Sequence, residues 1–304
     1  MAIATVKTTI NGVEHTLAYN ETSGKYEGTL TAPGLSSYNQ TDHYYNVSVT
    51  ATDTAGNTAA IDATDAALGA SLRLIVKEKV APTITITSPG AGARLTTNTP
   101  TITAQLRDND SGVDLSTVAL TIDSGAAIGQ AAAGMTCTPV EGGYDLTYIP
   151  QTPLEEGGHT IALAASDNDG NAGQAASVSI VVDTIAPTLN VTAPAQGLTT
   201  NQTAGKVVGN TNDATSSPCT VTITVNGVDA GTVALDENGA FAHDVTYSEG
   251  ENTIVVTSTD TAGKSTTVTR TVNVSTTAPE FISVELVPNP VDCGQTYVIK
   301  VSVQ

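Results

Sequence analysis

The sequence contains no tryptophan, two phenylalanines and three cysteines among its 304 residues. With so few large aromatic side chains, a hydrophobic core must be assembled from Val, Ile, Leu and Tyr, which predicts small and slender modules. Cys137, Cys219 and Cys293 lie far apart along the chain and fall in three different modules. No module can therefore close a disulfide of its own, and we expect three reduced or buried thiols.

Positive charge is scarce as well. Eleven Lys and Arg residues stand against 30 Asp and Glu residues, which gives a formal net charge of −19. Nucleic acids and anionic membrane surfaces require basic partners, so neither is an expected ligand. No stretch is long enough to cross a bilayer, and we expect no membrane insertion. The acidity permits cation binding and keeps an extended molecule soluble.

Catalytic signatures are missing too. The sequence has no G-x-S-x-G, no H-E-x-x-H and no phosphate-binding glycine loop. Four histidines are scattered over unrelated positions, where we expect surface or edge residues rather than general bases: His15, His43, His159 and His243. Acidic residues are plentiful in the loops, but a glycosidase needs a pair of them across a concave cleft. We predict that the protein is not an enzyme.

One pattern occurs three times in the chain. Strands of alternating apolar residues flank a tight turn rich in Asp, Gly and Asn, and an Ala-Pro dipeptide follows. The period of two is typical of half-buried strands, and the Ala-Pro dipeptide favours a short, stiff junction. Each repeat therefore closes a module. This predicts an all-β chain with modules at residues 1–80, 81–185 and 186–275, and a two-strand tail at residues 276–304.

Four motifs of the second module form a recognisable set. They are the loop D-N-D-S-G-V-D at 108–114, the turn E-G-G-H-T at 156–160, the hairpin D-N-D-G-N at 167–171 and the linker D-T-I-A-P at 183–187. The set resembles the tandem bacterial and phage immunoglobulin-like repeats, of the Big type, found in cell-surface and virion tail proteins. The resemblance covers the second module and most of the third. It implies immunoglobulin-like β-sandwich modules in an elongated array.

The same resemblance implies a non-enzymatic structural or adhesive role. The sequence begins MAIATVKTTING, without a signal peptide, and has no C-terminal anchor. These features favour an immunoglobulin-like component of a phage or phage-tail-like particle, located in the virion or an extracellular particle, that extends outward and engages a host cell-surface glycan or protein. The alternative is a fragment of a bacterial cell-surface adhesin or spacer array. A third possibility is the accessory region of a secreted glycan hydrolase.

Calcium is the one cofactor for which the sequence supplies candidate ligands. In an immunoglobulin-type sandwich, the loop after the second strand and the last hairpin lie at one end, where the preceding linker arrives. For the second module this groups Asp108, Asp110, Asp114, Asp167, Asp169 and Glu78, all with the carboxylate oxygens that calcium prefers. The alternative is that these side chains cap their own turns. In the third module, Asp183, Asp213 and Asp260 form a thinner set.

The first module contains an additional segment after its hairpin. Residues 59–70, with the sequence AAIDATDAALGA, separate that hairpin from the strand expected at 72–76. Long loops in compact domains are often functional, so this loop is a candidate binding site. The alternative is an insertion without a role.

The tail and the first module complement each other in their predicted strands. Asn11-Gly12 aligns with Asn226-Gly227 of the third module, yet the two strands that open the third module have no counterpart before Asn11. The tail has two strands and then stops. We therefore expect residues 280–304 to complete the first module of another copy, or a matching half-domain of another particle protein. The alternative is a disordered tail beside a self-sufficient first module.

Overall fold

The computed structural model describes residues 2–304, so Met1, the first residue of the predicted first module, lies outside the described residues. The described chain consists almost entirely of strands, which confirms the all-β prediction. It divides into two compact units, one ending at Val182 and the other spanning Asp183–Gln304. No helix within residues 2–304 is long and apolar enough to span a bilayer.

The first module forms one sheet. Its strands are β1 (Ile3–Ile10), β2 (Val13–Asn20), β3 (Lys25–Glu27), β4 (Tyr45–Asp53), β5 (Thr58–Ile61) and β6 (Arg73–Leu74). Five of them pair in the order β3-β2-β1-β4-β5, and β6 pairs with β4. The turn between β1 and β2 has φ values of 49° at Asn11 and 77° at Gly12. A two-residue hairpin of this kind needs positive φ at both positions, which Asn and Gly tolerate.

The segment expected as a loop after the first hairpin contains regular structure. Its first residues form β5, which pairs with β4, and a 3₁₀ helix spans Gly69–Leu72. The prediction of a loop over all of residues 59–70 was therefore wrong at both ends. The tight hairpin turn places the residues that follow it directly beside β4, so the ladder begins there. The strand expected at 72–76 contributes only the two residues of β6.

The second module is a two-layer sandwich. Its strands are β7 (Thr83–Ser88), β8 (Arg94–Leu95), β9 (Ile102–Arg107), β10 (Val113–Ile122), β11 (Met135–Val140), β12 (Gly143–Tyr148), β13 (Gly157–Asp167) and β14 (Ala176–Val182). The sheets run β11-β12-β9-β7 and β10-β13-β14-β8. Alternate residues of both sheets face one core, in which Ile102, Leu106 and Ile161 are wholly buried.

The third module repeats this architecture. Its strands are β15 (Thr188–Ala193), β16 (Leu198–Thr200), β17 (Ala204–Asn212), β18 (Thr220–Val225), β19 (Val228–Asp229), β20 (Ala240–Thr246), β21 (Gly250–Thr259) and β22 (Ser265–Val274). The sheets run β15-β17-β20 and β16-β22-β21-β18-β19. Val207, Ile223 and Ile254 are wholly buried between them.

The tail is a separate two-stranded hairpin. Its strands, β23 (Phe281–Val287) and β24 (Val298–Val303), pair only with each other. Every residue of both strands is exposed. An isolated two-stranded hairpin is at best marginally stable in water.

Candidate metal centres

An acidic group lies where the first module meets the second. Glu78 precedes the Ala81-Pro82 junction, Asp108 follows β9, and Asp167 ends β13. One carboxylate oxygen of each residue lies within 4.8 Å of the others. Glu78 is half-buried, Asp108 is 9% exposed and Asp167 is 2% exposed. The structure thus brings together three of the six predicted calcium ligands, Glu78, Asp108 and Asp167.

Most of these oxygens already accept hydrogen bonds. Glu78 Oε1 accepts from the Ser111 amide at 2.7 Å, and Asp108 Oδ1 accepts from the Gly112 amide at 2.8 Å. Asp167 uses both oxygens on Asn171, whose amide donates to Oδ1 at 2.7 Å and whose side chain donates to Oδ2 at 2.6 Å. Turn capping accounts for much of this group.

The other three predicted ligands are held elsewhere. Asp110 accepts the Ser36 amide with both carboxylate oxygens, at 2.9 and 3.1 Å, and so joins the first module to the second. Asp114 caps its own strand by accepting from the Ser116 amide at 2.9 Å. Asp169 Oδ2 accepts the Glu78 amide at 3.0 Å. Two of these contacts connect residues far apart in sequence, which no local motif reveals.

The second acidic group lies wholly within the third module's unit. Asp183 precedes the Ala186-Pro187 junction, Asp213 follows β17, and Asp260 follows β21. One carboxylate oxygen of each again lies within 4.8 Å of the others. Here all three side chains are buried, with 0% exposure at Asp183, 7% at Asp213 and 6% at Asp260. The set that looked thinner in the sequence is the more buried one in the structure.

One oxygen of each carboxylate caps a turn. Oδ1 of Asp183 accepts the Ile185 amide at 3.2 Å, Oδ1 of Asp213 accepts the Ser216 amide at 2.6 Å, and Oδ1 of Asp260 accepts the Lys264 amide at 3.0 Å. Oδ2 of Asp183 and Oδ2 of Asp260 are buried without a hydrogen-bond partner. Turn capping therefore explains one oxygen of these residues and leaves the second unexplained.

The hairpin sequence accounts for part of this difference. In the first and second modules the hairpin ends in Asn57 and Asn171, and each Asn side chain donates to Oδ2 of the hairpin Asp. The same bond holds the pKa of the Asp53 carboxyl below its usual value, together with amide bonds of that turn. In the third module Lys264 replaces the Asn, and Asp260 Oδ2 loses its donor. This substitution is the signal in the sequence that distinguishes the third hairpin.

His159 differs from its expected place on the surface. Its side chain is 9% exposed and lies in β13, with Nδ1 at 2.6 Å from Asp123 Oδ2 and Nε2 at 2.8 Å from the Glu155 carbonyl. The expectation of a surface residue was wrong because both ring nitrogens find partners inside the module. Burial lowers the pKa of His159, but the bonds to Glu155 and Asp123 outweigh it and the pKa is raised overall.

A groove of about 860 Å³ runs beside β18 in the third module. Its walls come from residues 211–239 and include Cys219, Asp229 and Glu237. No aromatic side chain lines it within the described chain, so it offers no stacking platform for a sugar ring.

Both complete modules match known domain families. Residues 82–163 match the bacterial Ig domain family, and residues 187–276 match domain B of glucodextranase, whose name places that domain in an enzyme. A search of curated proteins found no match to the chain.

Among solved structures, the chain is similar to a three-domain segment of titin, with 11% identity, a TM-score of 0.42, and coverage of 90% of this chain and 88% of that one. The fibronectin(III)-like modules of Clostridium thermocellum CbhA match with 20% identity, a TM-score of 0.38, and coverage of 63% and 94%. The first four immunoglobulin domains of Sidekick-1 match with 11% identity, a TM-score of 0.37, and coverage of 90% and 68%. The chain contains immunoglobulin-like β-sandwich modules in tandem, and its residues 82–163 match the bacterial Ig domain family.

Proposed function

We propose that the protein is a non-catalytic structural and adhesive component of a phage or phage-tail-like particle, in which the tail of one copy completes the first module of the next. The observation that carries this proposal is the uncovered apolar face of the tail hairpin. Its acceptor is the sheet of the first module, which is only partly covered. The array then extends from the particle and presents loops to a host cell-surface glycan or protein.

The tail hairpin has one apolar face and one mostly polar face. Val284 pairs with Val301 and Leu286 with Ile299, so these four side chains share a face. On the opposite face two polar pairs, Ser283 with Ser302 and Glu285 with Lys300, lie beside one apolar pair, Val287 with Val298. The apolar side chains remain 43–60% exposed. An apolar sheet face of this kind is typical of a β-sandwich, in which it packs against a second sheet.

The first module has an apolar sheet face but, within its described residues, no hydrophobic core cluster of its own. On β1 and β4 the pairs Val6 with Ala51, Thr8 with Val49 and Ile10 with Val47 lie on one face. Both hydrophobic core clusters of residues 2–304 belong to the second and third modules, and none belongs to the first. On this face Val6 and Thr8 of β1 are buried, whereas Ile10 and the paired residues of β4 are only half-buried. The cover of this sheet face is therefore incomplete, and the tail hairpin can complete it.

Strand order supports the same arrangement. In the second module β12 lies between β11 and β9, and β7 follows at the edge. In the first module β3 pairs with β2 alone, so its other edge is open. If β24 pairs along that edge, with β23 outside it, the order β2-β3-β24-β23 reproduces the order β11-β12-β9-β7. The tail follows Ala278-Pro279 just as β7 follows Ala81-Pro82.

The donor and acceptor lie at different places on one chain, so each copy can serve two neighbours. Such a heterologous contact builds a ring if its rotation closes and a filament if it does not. Both products suit a component of an assembled particle. The acidic surface, with a net charge of −19, keeps the separate chains soluble before they assemble.

Sedimentation of the full chain and of a chain lacking residues 280–304 tests this proposal. We expect the full chain to form species heavier than one copy in a concentration-dependent manner, and the shortened chain to stay monomeric with a less stable first module. A synthetic peptide of residues 280–304 should restore that stability and cap the assemblies of the full chain. If both chains are monomeric and equally stable, strand donation is wrong.

Immunogold labelling decides where the assembled protein resides. Antibodies raised against the second module should label purified particles from the source culture. Labelling confined to the bacterial envelope would instead favour the cell-surface adhesin or spacer array.

The match of residues 187–276 to a glucodextranase domain favours a glycan as the adhesive ligand. A glycan array probed with the full chain tests that ligand class.

A further inference from the structure

We infer that Asp183, Asp213 and Asp260 form a calcium site in the third module. This inference is independent of strand donation, because all three residues lie in the unit that spans Asp183–Gln304 and none belongs to the tail. Their carboxylates approach within 4.8 Å of one another, and at least 93% of each residue is shielded from solvent.

Two unpartnered oxygens point to a missing ligand. Asp183 Oδ2 and Asp260 Oδ2 are buried and accept no hydrogen bond. Buried polar atoms are nearly always satisfied in folded proteins, and an exception calls for an unseen ion or water. A water would leave the repulsion among three carboxylates in place, whereas a cation removes it. The carboxylates therefore favour a cation.

The loops that carry the acids are already tied together. The Thr261 amide donates to the Ser216 carbonyl at 3.0 Å, and the Thr261 hydroxyl donates to the same oxygen at 2.8 Å. These bonds join the hairpin of Asp260 to the loop of Asp213. A cation therefore meets ligands that are held in place rather than loops that must be ordered on binding.

The ligand chemistry selects calcium. The group offers carboxylate oxygens alone, without the His or Cys ligands that zinc and copper prefer. Magnesium gives up its water shell reluctantly and keeps several waters when bound. A nearly dry group of three carboxylates suits calcium better, because calcium accepts several carboxylates in irregular geometry.

Calorimetric titration of the chelator-treated full chain with calcium chloride tests the site. We expect saturable binding that is lost in the double variant Asp183→Asn with Asp260→Asn. The matched control is Asp53→Asn, which alters the equivalent hairpin residue of the first module, a residue that belongs to neither acidic group. That control should bind calcium as the unaltered chain does.

Thermal unfolding supplies a second readout. At a calcium concentration 100-fold above its dissociation constant, we expect the third module to melt roughly 10 °C higher than in chelator. Circular dichroism at 20 °C in chelator checks that the double variant is folded, and Asp183→Asn alone serves if it is not.

Three results would overturn the inference. The first is neither heat nor a melting shift with the unaltered chain. The second is binding that survives the Asp183 and Asp260 changes but disappears with Glu78→Gln, which would place the ion in the other acidic group. The third is an equal response to magnesium chloride, which would contradict the selection of calcium.

Discussion

Strands β4 and β21 occupy the same place in their modules but bury their side chains differently. In β21 alternate residues are buried, including Ile254 and Val256, both with 0% exposure. In β4 no residue between Tyr45 and Asp53 is buried, and all but Asn46 are intermediate. The two strands have similar sequences, and the turns that follow them differ only in their last residue, Asn57 against Lys264. The difference teaches that alternation specifies a strand, while burial requires a second sheet.

The largest expected effect comes from a substitution in the tail, on the association of the full chain. Val301→Asp places a charge on the apolar face of β24, which strand donation buries against the first module. We expect at least about a 100-fold loss in the association constant, because about 3 kcal/mol or more of apolar burial and charge desolvation is lost. Sedimentation equilibrium measures it.

Ser302→Asp is the matched control for that variant. It introduces the same charge at the next residue of β24, on the mostly polar face of the hairpin. We expect association within a few-fold of the unaltered chain. Equal losses in the association constant from the two variants would mean that association does not depend on the apolar face, which would contradict the proposal.

The core positions of β4 and β21 provide the next test. Val256→Ala should destabilise the third module by about 2 kcal/mol, because it leaves a cavity in a complete core. Val49→Ala should cost about as much in the assembled full chain and well under 1 kcal/mol in the chain lacking residues 280–304. Urea unfolding measures these costs in Val256→Ala of the full chain and in Val49→Ala of the full and the shortened chain, each against its unaltered parent. If Val49→Ala costs the same free energy of unfolding in the full and the shortened chain, the tail does not cover β4.

The hairpin turns sharpen the comparison at a smaller scale. Lys264→Asn gives the third hairpin the amide that Asn57 supplies in the first, and so satisfies Asp260 Oδ2. We expect the calcium-free third module to gain about 1 kcal/mol. Lys264→Ala removes the same positive charge without adding a donor and should bring no such gain. Unfolding in chelator measures both variants.

The smallest expected effect is a pH dependence of the second module. Because the pKa of His159 is raised in the folded state, its contribution is complete below the ordinary pKa of about 6.5 and disappears as pH rises through the folded value. The second module should therefore be more stable at pH 6 than at pH 8. His159→Gln should flatten that slope and leave the unfolding of the third module unchanged. A slope unaltered by this variant would assign the pH effect to another group.

Much of the fold could be predicted from the sequence because its signals are local. The Asn-Gly turns at 11–12 and 226–227 fix their hairpins through positive φ, and the alternating apolar residues mark the strands that flank them. Strand β5 was missed because Thr58–Ile61 lacks a run of large apolar residues and forms through its position beside β4.

The acidic groups were harder to predict, because their geometry depends on contacts between distant residues. The bond from the Ser36 amide to Asp110 joins residues 74 positions apart. Asp260 Oδ2 has no donor because position 264 is Lys, whereas an Asn occupies the equivalent position in the other two hairpins. The sequence showed that substitution, but only the buried geometry shows which oxygen it leaves without a donor.

Hydrogen–deuterium exchange of the full chain and of the chain lacking residues 280–304 tests strand donation most directly. In the full chain, β3 has an open edge that β24 should cover, so the amides of residues 24–32, in and beside β3, should exchange slowly. Removal of the tail should make the same amides exchange fast and leave those of β12 and β20 unchanged. Equal exchange of residues 24–32 in the two proteins, at a concentration where the full chain is assembled, would contradict strand donation.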